Sequence, residues 1–138
     1  MQTIALIAHD GKKDEMVRFA NQHRKWLTQF HLLATGTTGE RIMGATGLTV
    51  ERVHSGPYGG DAQIAARITE GAIVGVIFLV DPLYAHPHEP DIQGLLRICN
   101  VYNIPLATNE SSAHYILLGL AEASAHTDSG SGKNSFDR

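Results

Sequence analysis

Val74-Gly75-Val76-Ile77-Phe78-Leu79-Val80, closed by Asp81, is the stretch whose reading decides the fold. From Val76 to Val80 every position is apolar, whereas a strand with one face in water would alternate apolar with polar. A strand buried on both faces belongs to a parallel sheet covered by helices on either side. The residues before and after it repeat an alternation of short β-type runs and longer helical ones. Thr3-Ile4-Ala5-Leu6-Ile7-Ala8 stops at His9-Asp10-Gly11, and Met16, Phe19, Ala20, His23, Leu27 and Phe30 follow at helical spacing. His31-Leu32-Leu33-Ala34 is a second strand, a short helix covers residues 40–45, and Thr49-Val50-Glu51-Arg52-Val53 alternates as a third strand. Ile64, Ala65 and Ile68 then form a helical pattern that leads into the decisive strand. Beyond it a proline-rich loop runs from Pro82 to Pro90, and Ile92, Leu95, Leu96 and Cys99 have helical spacing. Ile104-Pro105-Leu106-Ala107-Thr108 reads as the last strand, and a closing helix starts near Ser111. About five β-then-α units in series predict an α/β fold: a single three-layer α/β/α domain with a mostly parallel sheet of about five strands.

With 138 residues, 43% hydrophobic and 18% charged, the chain suits one compact domain with a sizeable core. No apolar run approaches the roughly 20 residues that span a bilayer, so no membrane is expected. Met1-Gln2-Thr3-Ile4-Ala5-Leu6 has neither a basic start nor a small-residue cleavage site, and the expected location is cytoplasmic. Net charge is −3, with Lys and Arg in no block or stripe, which predicts no nucleic-acid partner. The single cysteine, Cys99, excludes an internal disulfide and, among Leu95, Leu96, Ile98 and Val101, reads as a buried structural thiol. From Ser124 the composition turns to Ser, Gly, Asp, Asn and Lys, which divides the chain into a domain at 1–123 and a flexible tail at 124–138. Gly132-Lys133 lacks the upstream strand, the glycine spacing and the following Ser/Thr of a phosphate-binding loop.

Ligands of parallel α/β sheets bind beyond the carboxyl ends of the strands, and each polar cluster of this chain falls at such an end. Ser55-Gly56-Pro57-Tyr58-Gly59-Gly60-Asp61 joins an acidic residue to a glycine turn that can bring backbone N–H groups close to an anion. Asp61 reads equally as a residue steadied by the helix dipole and as a general base beside a phosphate cradle. Thr35-Gly36-Thr37-Thr38-Gly39 supplies hydroxyls and amide groups for an anion at a helix start, and a turn with a Thr N-cap explains it as well. His9 suits polarisation of a carbonyl with Asp10 fixing it, or else a polar strand end with Asp10 capping the next helix. Lys13 is either an added cation or a solvent-exposed lysine. Between Asp81 and Asp91 the prolines stiffen a loop that presents His88 and Asp91, while Asp91 also suits a first helical turn. His86, His88 and Asp81 form an incomplete ligand set, so no metal is expected.

In order along the chain stand Ala8-His9-Asp10, Ala34-Thr35-Gly36-Thr37-Thr38-Gly39, Ser55-Gly56-Pro57 with Gly59-Gly60-Asp61, Asp81-Pro82-Leu83 through Pro87-His88-Glu89-Pro90-Asp91, and Ile104-Pro105 with Ala107-Thr108-Asn109. From Ile4 to about Ile116 this ordered set resembles the methylglyoxal synthase family. The resemblance implies a carbon–oxygen lyase that converts dihydroxyacetone phosphate to methylglyoxal and inorganic phosphate, a bypass of glycolysis. It implies Asp61 as catalytic base and acid, with His9 and His88 contacting the substrate. It implies that Lys13, Thr35, Gly36, Thr37, Thr38, Ser55 and Gly56 hold the phosphate end. Asp10, Asp81 and Asp91 map onto acidic positions near the family site. A homohexamer without metal or organic cofactor is implied too, with inorganic phosphate as product and inhibitor. Some family members end in a segment bearing Tyr and Arg, linked to subunit contacts and phosphate response, which the Ser/Gly-rich end here does not match.

Two other readings compete. A regulatory module that binds a phosphorylated effector would use the Thr35–Gly39 cradle, but it has no use for Gly59-Gly60-Asp61, His88 and Asp91 together. A phosphatase needs a nucleophile or a metal-activated water, and the sequence offers no clear candidate.

Overall fold

The computed structural model describes residues 1–83 and 91–128. The strands are β1 (Thr3–Ala8), β2 (His31–Thr35), β3 (Val50–Val53), β4 (Ile73–Leu79) and β5 (Leu106–Ala107). The helices are α1 (Lys13–Gln22), α2 (Arg24–Leu27), α3 (Gly36–Thr46), α4 (Gly60–Thr69), α5 (Ile92–Tyr102) and α6 (Glu110–Asp128). The five strands form one sheet in the order β3-β2-β1-β4-β5, and every pairing is parallel.

Strand residues alternate between two apolar layers, as the two-residue repeat of a strand requires. Ile4, Leu6 and Ala8 of β1 pack in one layer with Met16, Phe19, Leu27, Ile42 and Leu117, which come from α1, α2, α3 and α6. Ala5 and Ile7 pack in the other with Ile64, Ile68, Leu95 and Cys99 of α4 and α5. The three-layer α/β/α arrangement expected from the apolar run of β4 is therefore the one observed. Ile7 and Phe78 are fully buried in the α4–α5 layer, and truncating either to Ala costs about 2–5 kcal/mol. Thr3 pairs with Ile73 but Ile4 with Gly75, so β4 carries one extra residue at its start. That bulge turns Ile73 to the same layer as Val76 and Phe78, and a Cβ on Gly75 would lie 2.6 Å from Leu120 Cδ1.

Several boundaries differ from those read in the sequence. The pattern from Met16 to Phe30 divides at His23, whose backbone leaves helical geometry (φ −113°, ψ 20°) while its buried ring bonds the Phe19 carbonyl at 2.9 Å. Helix α3 begins at Gly36 rather than near Glu40, so the Thr-Gly-Thr-Thr-Gly stretch forms the first helical turn instead of a loop before it. Strand β4 spans Ile73–Leu79, which leaves Val80 and Asp81 beyond its end. Helix α6 runs to Asp128, past the Ser124 boundary suggested by composition, and Ser124 is buried. Among the described residues no helix is long and apolar enough to cross a membrane.

The strand order creates a switch point. The chain moves from β1 outward to β2 and β3, then returns to add β4 and β5 on the other side of β1. The loops after β1 and β4 therefore emerge side by side at the carboxyl end of the sheet, where parallel α/β folds bind their ligands.

Candidate active site

His9 and Asp81 lie just beyond the ends of β1 and β4, the neighbouring strands at that switch point. The His9 ring is buried, its edge set against Phe78, and its Nδ1 accepts the Asp81 backbone N–H at 3.0 Å. With Nδ1 engaged as an acceptor, the neutral ring carries its proton on Nε2, which makes Nε2 a donor. Asp81 steadies its own loop by accepting the Leu83 N–H at 3.2 Å. A side chain at Gly11 would overlap the Asp81 carboxylate, which would have to swing aside.

Lys13 opens α1, and its side chain folds back across the end of β1. Its Nζ donates to the Ala8 carbonyl at 3.2 Å and to Asp10 Oδ1 at 2.8 Å. Only 11% of the side chain is exposed, so the structure rejects the solvent-exposed reading and holds this cation at the strand ends.

At the ends of β2 and β3 the hydroxyl groups converge. Thr35 and Thr38 are buried, and Thr35 Oγ1 donates to Thr38 Oγ1 at 3.4 Å. Thr37 Oγ1 lies 3.3 Å from Ser55 Oγ across the two loops. A Cβ on Gly36 would sit 2.8 Å from Ser55 Oγ and 3.3 Å from the Ser55 nitrogen, so a side chain there would press the hydroxyl and the turn away from the start of α3. Gly56 begins a short 3-10 turn that ends at Gly59, whose φ of +90° suits glycine. Helix α4 then starts at Gly60, where a Cβ would overlap the His54 carbonyl oxygen.

Asp61 follows in the first turn of α4, and its Oδ2 accepts the Asp91 backbone N–H at 2.9 Å. Asp91 is itself the N-cap of α5, its Oδ1 accepting the Gln93 N–H at 2.9 Å. A carboxylate on one helix thus holds the start of another.

The structure gathers His9, Asp10, Lys13 and Asp81 at the ends of β1 and β4, and Thr35, Gly36, Thr37, Thr38, Ser55 and Gly56 at those of β2 and β3. Asp61 and Asp91 meet where the starts of α4 and α5 come together. His88 lies outside the described residues, as does His86. Among the described residues no group of three His, Cys, Asp or Glu could hold a metal ion. Sequence reasoning passed over Gly11 and Gln63. Gly11 adjoins a strand end, which is a usable signal, whereas exposed Gln63 carries no sequence signal at all. It also passed over an ion cluster on the edge strand β3: Glu51 accepts from Arg67 at 2.5 Å and meets His31 Nε2 at 2.7 Å. Arg67 first, then His31, holds the Glu51 carboxyl down at about 2. A shallow cleft beside Ser55 is lined by Arg52, His54, Tyr58, Gln63 and Arg67.

Residues 15–108 match the model of the MGS-like domain family. A methylglyoxal synthase of Thermus thermophilus is 60% identical over 117 residues, covering 85% of this chain and 93% of that protein. A methylglyoxal synthase of Cupriavidus taiwanensis is 54% identical over 127 residues, covering 92% of this chain and 96% of its own length. Among solved structures, the methylglyoxal synthase of Elizabethkingia anophelis superposes with a TM-score of 0.82 at 46% identity, covering 84% of this chain and 76% of that one.

Proposed function

Because the chain belongs to the methylglyoxal synthase family, we propose that it eliminates phosphate from dihydroxyacetone phosphate to give methylglyoxal and inorganic phosphate. The observation that carries this reading is the convergence of a carboxylate, an oriented imidazole donor and a hydroxyl–glycine cradle at neighbouring strand ends. Asp61 takes a proton from the hydroxymethyl carbon. Its Oδ2 is committed to Asp91, so Oδ1 is assigned to that step. The Nε2 proton of His9 meets the carbonyl oxygen on which charge grows, and His88 is the second donor in this reading. The enediolate then expels phosphate, which leaves with the C–O bonding pair, and the resulting enol takes a proton at its terminal carbon to become methylglyoxal.

Expulsion requires the bridging C–O bond to stand out of the enediolate plane, where it overlaps the π system. The grip on the phosphate therefore selects the outcome. Lys13, Thr35, Gly36, Thr37, Thr38, Ser55 and Gly56 form that grip, Lys13 supplying charge and the others hydroxyls and backbone N–H groups. Asp10 orients Lys13, and Asp81 orients His9. Assembly as a cytoplasmic homohexamer and inhibition by product phosphate belong to the same reading.

Incubating the purified protein with dihydroxyacetone phosphate, without added metal, and following phosphate and methylglyoxal together by NMR tests it. Equal release of both, lost by a factor of at least roughly 10²–10⁴ in Asp61→Asn, is the expected result. Binding without turnover would instead favour the regulatory module, and dihydroxyacetone beside the phosphate would indicate a phosphatase.

A further inference from the structure

We infer that Gln63 is a positioning residue that holds the phosphate cradle in register with the helix carrying the base. The inference rests on the functional reading above and concerns how that site keeps its shape.

His54 is the pivot of the loop that delivers Ser55 and Gly56. Its carbonyl accepts the Gly36 N–H at 3.4 Å and is overhung by Gly60, where no side chain fits. Its N–H donates to Gln63 Oε1 at 2.7 Å, the shorter of the two bonds and the one made by a replaceable side chain. Gln63 does not serve its own helix by this contact, because its target lies nine residues back, before the 3-10 turn. Nor does it face Asp61, since residues two apart on a helix point to different sides. Its influence on the site therefore runs through His54 into Ser55. The Ser55 carbonyl accepts from Tyr58 within the turn and from Gly60 at the start of α4, so Ser55 is the point at which the cradle meets that helix.

If the Gln63 bond is lost, the turn samples displaced positions, and phosphate binding must first select the competent one. Apparent affinity then equals the intrinsic affinity multiplied by the fraction of molecules that are competent. A bond of ordinary strength, about 1 kcal/mol, corresponds to an effect of up to roughly fivefold. The base stays on an intact helix, so kcat is spared.

The experiment uses the full chain and two variants near 1 M salt, where a screening length of about 3 Å suppresses the added charge of a carboxylate. Gln63→Met keeps the side-chain length without an acceptor, and Gln63→Glu keeps an acceptor oxygen. Inorganic phosphate is titrated by calorimetry, and KM and kcat for dihydroxyacetone phosphate are measured alongside. The expected result is that Gln63→Met weakens phosphate binding and raises KM by between roughly twofold and fivefold with kcat within twofold, while Gln63→Glu stays within twofold throughout. Unchanged phosphate affinity in Gln63→Met overturns the inference, as does a fall in kcat and thermal stability with KM unmoved. A wild-type chain that neither binds phosphate nor turns over the substrate overturns the enzymatic reading itself, a result distinct from the other two.

Discussion

The Nδ1 of His9 accepts the backbone N–H of Asp81 at 3.0 Å, joining the loops that follow the paired strands β1 and β4. One bond thereby sets both the rotation of the ring and the nitrogen that donates. His9→Ala removes that donor and should lower kcat about 10²–10³-fold, the loss typical of one preorganised donor. Steady-state kinetics with dihydroxyacetone phosphate decides the point, and a kcat within threefold of wild type would dismiss His9 from the chemistry.

Gly60→Ala should damage stability and activity together. The new methyl group meets the His54 carbonyl, which is backbone and has little room to retreat. Overpacking of this kind costs about 1–3 kcal/mol, and a shift of Asp61 by an ångström can cost on the order of 10²-fold in rate. Thermal melts and kcat for the same preparation test both effects.

Lys13→Met should act mainly on KM. The ammonium group is largely shielded from solvent and held at the strand ends by Ala8 and Asp10. Removing a charge-assisted contact to a phosphate costs about 1.5–3 kcal/mol, on the order of a ten- to hundredfold rise in KM. A rise in the dissociation constant of inorganic phosphate by a similar factor should accompany it.

Acid should weaken the β3–α4 corner. The Glu51 carboxyl is lowered from 4.5 to about 2 by Arg67 and then His31. A carboxyl with a depressed folded value stabilises the fold above its unfolded value and loses that contribution as pH falls through the folded one. The difference in Tm between wild type and Glu51→Gln should therefore be complete above 4.5 and vanish as pH approaches 2. The group is more than a third exposed, so the difference is small. A gap that widens on acidification would reverse the assignment.

Cys99 should resist alkylation in the folded protein. Burial pushes its thiol up to about 11, so at three pH units lower roughly one molecule in a thousand is a thiolate. Iodoacetamide labelling followed by mass spectrometry should be slow in buffer and fast in denaturant.

The sequence by itself determined the layers and the order of strands and helices along the chain. Val76 to Val80 cannot satisfy two apolar faces except inside a covered sheet, and β1 spans the same six residues in the chain's pattern and in the fold. The candidate residues were legible because strand ends are punctuated by polar and glycine residues: His9 after Ala8, Thr35 after Ala34, Gly59-Gly60 before Asp61. Local spacing misread α3, because threonine and glycine are weak helix formers that tertiary packing against β2 and β3 overrides. Only the tertiary structure decided what these residues do to one another. His9 and Asp81 are 72 positions apart, Asp61 and Asp91 are 30 apart, and Gln63 is an exposed helix residue until its bond to His54 is seen. Periodicity records which face a residue occupies, but strand order and register decide which loops emerge together, and hydrogen bonds between those loops leave no trace in local spacing.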